Sequence, residues 1–119
     1  MTLTAPRFTS IPQLVRASQN SPSLAQGATG QGVQALQLAL VELGFDMPRS
    51  TQQGTRLPDG IFGAETRSVV TEFQRANGLK PDGIAGRMTL QALDLLIVAE
   101  SEGRALEAFR ESRLRSPFV

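Results

Sequence analysis

The chain has 119 residues, 40% hydrophobic and 19% charged, and its 12 basic and 11 acidic side chains leave a formal net charge of +1. That is room for one packed domain able to bury about two thirds of its unfolded surface, without the cationic excess that lets a nucleic-acid binder neutralise phosphates. His, Cys, Tyr and Trp are absent, which removes imidazole and thiolate zinc sites, thiol nucleophiles and His-assisted Ser catalysis.

Residues 1–23 are rich in Thr, Ser, Pro and Gln, with a short apolar patch at Ile11, Leu14 and Val15. They read as an extended N-terminal arm, with one helical turn packing back on the body. Pro12 and Gln13 interrupt the only apolar stretch there, so no export-signal core is expected. Runs such as Leu38 to Val41 and Leu95 to Ala99 are far too short to cross a bilayer, and no membrane insertion is expected.

Residues 24–99 carry the periodic signal. Gly27, Gly30 and Gly32 open a turn, and Val33, Leu36, Leu40 and Leu43 then recur at spacings of three and four, the mark of an amphipathic helix. Gly44 follows as a left-handed terminator, with Phe45 folding back on the last turn. Asp46 to Pro58 reads as a polar loop. A second helix runs from about Gly63 to Asn77, with Val69, Val70 and Phe73 inward and Glu65 at the positive end of the dipole. A third starts near Gly86 and directs Leu90, Leu93, Leu96 and Ile97 inward. Residues 100–119 form a charged C-terminal helical extension and tail. Its Arg110, Arg113 and Arg115 are diluted by Glu107 and Glu111, as on a solvated helix face.

Two stretches are near copies. Asp59-Gly60-Ile61-Phe62-Gly63-Ala64-Glu65-Thr66 parallels Asp82-Gly83-Ile84-Ala85-Gly86-Arg87-Met88-Thr89, and each follows a Pro and leads into a helix. Asp is expected to accept from amides two residues on, Gly to supply positive φ, and the Ile to point inward. Asp59, Gly60, Gly63, Asp82, Gly83 and Gly86 are therefore structural turn residues, not ligands. Val33-x-x-Leu36-Gln37 is echoed by Val70-x-x-Phe73-Gln74, and both glutamines are expected to bond loop backbone inside the fold. Asp59 and Asp82 are also the obvious pair for glycosidase chemistry, but the turn explains both. A Ser–Lys pair would depend on Lys80, the single lysine, which sits in a predicted turn. No catalytic residue, metal or cofactor is expected, and the chain is predicted not to be an enzyme.

The ordered elements Leu24, Gly27, Gly30, Val33, Leu36-Gln37, Leu43-Gly44-Phe45, Asp59 to Thr66, Phe73-Gln74, Gly78-Leu79 and Asp82 to Thr89 closely resemble the peptidoglycan-binding-like domain family. The resemblance covers about residues 24 to 97. It implies an all-α, compact three-helix domain with an internal turn–helix repeat, flanked by the arm and the extension. It also implies a non-catalytic module that binds peptidoglycan or its fragments. The loop from Asp46 to Leu57 looks longer than the family's usual connection, and no attached wall hydrolase is expected.

Sugar recognition favours amphipathic aromatics, so a chain with Phe alone is expected to prefer the stem peptide over the glycan. The candidate contacts are Phe62, the one aromatic in a polar turn, and Arg67, Arg49 and Arg56, which can pair with peptide carboxylates. Phe62 also reads as a core plug between the helices. The competing function is a protein–protein adaptor of an envelope-directed or phage-tail-like assembly, with a partner or a second copy meeting residues 1–20 and 104–118. Leu106, Phe109 and Leu114 form a strip on the latter. A wall binder would reach the envelope, or be secreted, without a signal peptide; an adaptor would be cytoplasmic.

Overall fold

A computed structural model describes residues 3–48 and 58–99. Among these residues the fold is all-α. It comprises α1 (Pro6–Thr9), α2 (Pro12–Ala17), α3 (Gln31–Glu42), α4 (Ala64–Ala76) and α5 (residues 87–99). Extended backbone pairs in isolated antiparallel bridges, among them Leu24 with Ala85 and Thr29 with Ile61.

The three long helices lie where the periodicity places them. Val33, Leu36 and Leu40 of α3 meet Val70 and Phe73 of α4 and Leu90, Leu93 and Ile97 of α5 in one buried cluster. Phe45 packs edge-on against Phe73, with ring centroids 5.7 Å apart, a geometry the ring quadrupole favours. Both α3 and α4 end in Schellman motifs. The Phe45 amide returns to Leu40 O and the Gly44 amide to Val41 O; the Leu79 and Gly78 amides do the same to Gln74 O and Arg75 O.

The N-terminal segment differs from the extended arm expected of it. Pro6 and Pro12 occupy first-turn positions, where a missing N–H costs nothing, and two short helices follow. Leu3, Ala5, Phe8, Leu14 and Ala17 are buried in the common core, with Ile11 partly buried against it. Besides an exposed Arg7–Glu42 ion pair between α1 and α3, three polar side chains fix the segment to the long helices. Gln13 Oε1 accepts from the Gly32 amide at 2.7 Å, in the first turn of α3. Asn20 Oδ1 accepts from the Arg87 amide at 2.8 Å, at the start of α5. Asp94, only 3% exposed, accepts from the Ala5 amide at 2.8 Å, the Thr4 amide at 3.1 Å and the Thr4 hydroxyl at 2.7 Å. Buried charge persists only when it is hydrogen-bonded in this way.

Leu96 is a second difference: it is 38% exposed. The inner stripe of α5 runs through Thr89, Leu90, Leu93, Asp94 and Ile97, which turns Leu95 and Leu96 outward. The C-terminal strip at Leu106, Phe109 and Leu114 lies outside the described residues.

Candidate functional site

Each long helix builds the turn that launches the next one. Gln37 of α3 is fully buried and donates through Nε2 to Thr66 Oγ1 at 2.9 Å, Ile61 O at 3.0 Å and Asp59 Oδ1 at 3.3 Å, while its Oε1 accepts from the Gly60 amide at 3.0 Å. Gln74 of α4 does the same one turn later. Its Nε2 donates to Thr89 Oγ1, Ile84 O and Asp82 Oδ1, each at 3.0 Å, and its Oε1 accepts from the Gly83 amide at 2.9 Å. Asp59 and Asp82 close the turns by accepting from the Ile61 and Ile84 amides at 2.9 and 3.0 Å. The carboxylates are therefore occupied as turn-formers.

This geometry reverses the side-chain parity expected for the turn. Ile61 and Ile84 point outward, 53% and 43% exposed, whereas Phe62 and Ala85 are buried. The aspartate fixes residue i+2 at the tip of the turn, and the next residue must enter the core because its backbone pairs with the segment from Leu24 to Gly30. There the Phe62 amide donates to Ala28 O at 2.9 Å and the Ala85 amide to Leu24 O at 2.7 Å. Phe62, 1% exposed, thus presents no face to a ligand; the core-plug reading holds for it.

Arg67 is surface-placed and well positioned. From α4 its side chain lies across the second turn, so close to Gly83 that a Cβ there would stand 2.9 Å from Arg67 Cγ. Its Nη1 faces Gln26 Oε1 at 3.5 Å. Together Ala25, Gln26, Arg67, Asp82, Gly83 and Ile84 line a cleft of about 210 Å³. Arg49 and Arg56 lie outside the described residues. On the far side of Ile84 a second cleft of about 280 Å³ includes Lys80, Arg87 and Met88, none of which the sequence marks as a ligand contact. They come together because the turn between α4 and α5 folds Lys80 towards the first residues of α5, a juxtaposition with no local signature. No described His, Cys, Asp or Glu residues cluster as metal ligands.

The tight fit at Gly83 has a measurable consequence. Its φ of +73° belongs to the left-handed region, and the added methyl of Gly83→Ala collides with Arg67. The variant should lose about 1–2 kcal/mol in a denaturation experiment. A stability equal to wild type would show that the turn relaxes freely.

Residues 29–93, more than half of the chain, match the peptidoglycan binding domain family, and the protein belongs to that family. The chain is 38% identical over 81 residues to the uncharacterized protein in the bpoA1 3′ region of Kitasatospora aureofaciens, covering 65% of this chain and 59% of that one. It is 39% identical over 85 residues to the N-acetylmuramoyl-L-alanine amidase CwlM of Mycobacterium tuberculosis, covering 71% of this chain and 19% of the amidase. Among solved structures it is similar to a peptidoglycan-binding protein from Clostridioides difficile in complex with glutamine hydroxamate. There the TM-score is 0.53 at 32% identity, over 62% of this chain and 41% of that one. The chain thus spans less than two thirds of the length of these relatives.

Proposed function

We propose that this chain is a non-catalytic module that holds bacterial peptidoglycan and favours the stem peptide over the glycan. Membership of the peptidoglycan binding domain family supports the wall as ligand. The observation that carries the peptide preference is Arg67, laid across Gly83 and presented beside Gln26 in a small cleft. A positioned guanidinium recognises a carboxylate through two parallel hydrogen bonds, and stem peptides carry carboxylates whereas many glycan surfaces offer only hydroxyls. Stacking on sugar rings would need an exposed aromatic. Among the described residues, Phe8, Phe62 and Phe73 are buried and Phe45 is half-buried against Phe73.

The proposed role places the chain at the cell wall, and no described helix is long and apolar enough to cross a membrane. The similarity to an amidase over 19% of its length fits a binding segment that serves beside catalytic machinery rather than performing the reaction.

The test compares intact sacculi with sacculi whose stem peptides have been removed enzymatically. The chain should pellet with the first and stay largely in solution with the second. Arg67→Ala should weaken binding to intact sacculi by about five- to tenfold, the loss of roughly 1–1.5 kcal/mol expected of one charge-assisted contact at a wet surface. Equal pelleting with both wall preparations would contradict the peptide preference.

A further inference from the structure

Ile84 stands as an exposed ridge between two clefts that share it and Asp82. One cleft contains Arg67; the other, of about 280 Å³, contains Lys80 and Arg87. We propose that the Lys80–Arg87 cleft binds the terminal carboxylate of a short peptide, so that an extended stem peptide straddles Ile84 and sets one carboxylate on each side. This subsite rests on the wall-binding reading and specifies which part of the ligand it takes.

The polar groups of the cleft show which of them are available. Asp82 Oδ1 already accepts from Gln74 Nε2 and the Ile84 amide, both at 3.0 Å. The Arg87 amide, at the start of α5, is satisfied by Asn20 Oδ1 at 2.8 Å. By contrast, the Lys80 and Arg87 side chains are exposed, and among the described residues neither has an ion pair. Two cations against the single carboxylate of Asp82 leave the concavity net positive, which favours an anion, with Arg87 supplying a planar fork and Lys80 a compact charge.

The apolar part of the cleft says what accompanies that anion. Met88 is 63% exposed and Ile84 43% exposed, and both line the cleft with the half-buried Leu79. A charged pair next to an apolar wall matches a chain end with a small aliphatic side chain beside its carboxylate. The volume agrees. Pockets for drug-sized ligands span roughly 300–1,000 Å³, and a cleft of about 280 Å³ has room for a peptide terminus.

The experiment titrates the full chain with acetyl-lysyl-D-alanyl-D-alanine, as the free acid and as its C-terminal amide, and follows backbone amide shifts by NMR. Sacculus pelleting is run in parallel. The free acid should perturb the amides of residues 80–89 and bind about tenfold or more tightly than the amide, the factor expected when a charge-assisted contact is lost. Lys80→Ala and Arg87→Ala should each weaken the free acid several-fold while leaving the amide's weak binding unchanged. Both side chains are exposed, so thermal unfolding should match wild type and report an intact fold. Equal affinity for acid and amide, or shift changes confined to residues outside the cleft, would overturn the subsite. Pelleting with sacculi alongside such a result would leave the wall-binding reading standing. Selective binding of the free acid without any pelleting would support the subsite and overturn the wall as its source.

Discussion

Asp94→Ala should lower stability by about 3–5 kcal/mol, the range expected when a buried charged acceptor is removed and its donors are stranded. The Thr4 and Ala5 amides and the Thr4 hydroxyl all donate to this carboxylate. Once the acceptor is lost, Asn20 is the remaining polar anchor of the N-terminal segment on α5, and the stretch around Leu3, Ala5 and Phe8 is held against α5 by apolar packing alone. For a domain of this size that loss corresponds to a drop in melting temperature on the order of 15–25 °C. Hydrogen exchange should localise the effect, with the amides of Thr4 and Ala5 and of α1 losing protection before those of α3 and α4. Asp94→Asn, which keeps one acceptor oxygen but adds a donor beside two N–H groups, should fall between wild type and Ala. A melting temperature for Asp94→Ala within a few degrees of wild type would mean that apolar packing alone docks the N-terminal segment.

Gln74→Glu should be damaging in a pH-dependent way. The amide Nε2 donates to Asp82 Oδ1, Ile84 O and Thr89 Oγ1, so a carboxylate oxygen in its place would face a carboxylate and a carbonyl without a proton between them. Like charge and burial both favour the neutral acid, so the introduced group's pKa in the folded state rises above its unfolded value of about 4.3. The sign follows from that shift. Below about pH 4.3 both states are protonated and the penalty relative to wild type is smallest; it grows as pH rises towards the raised folded value and is then fully expressed at neutral pH. There the loss should reach about 3 kcal/mol or more, comparable to breaking a buried polar network. Gln74→Leu removes the amide altogether and should be destabilised with no such pH dependence. Chemical denaturation of both variants at pH 4 and pH 7 checks the pair. If Glu and Leu showed the same pH profile, the geometry around Gln74 would be wrong.

Much of the domain body was legible because its signals are local. Val33, Leu36 and Leu40 mark α3 by spacing, and each Asp-Gly turn names its own hydrogen bond. Gln37 and Gln74 stood out as polar residues beside inner-stripe positions, where an amide must find partners. The parity of the turn was not legible. Whether Ile61 or Phe62 enters the core depends on the pairing of residue 62 with Ala28, more than thirty positions away in sequence. The N-terminal segment was misread for the same kind of reason. Helices of four and six residues are too short to show a period, and their anchor, Asp94, lies 90 residues from Thr4. One clue existed: Asp94 continues the Leu90 register at i+4, a charge on an inner stripe. Of the candidate contacts, Arg67 was visible as a helix-face cation, whereas Lys80 and Arg87 meet only when the second turn closes.

The most direct measurement is co-sedimentation of the chain with purified, insoluble peptidoglycan, using chitin as the control polysaccharide. Saturable pelleting with peptidoglycan but not chitin, reduced in Arg67→Ala, is the predicted result. A protein that stays in the supernatant with peptidoglycan from several bacteria, although folded, would contradict wall binding by this chain.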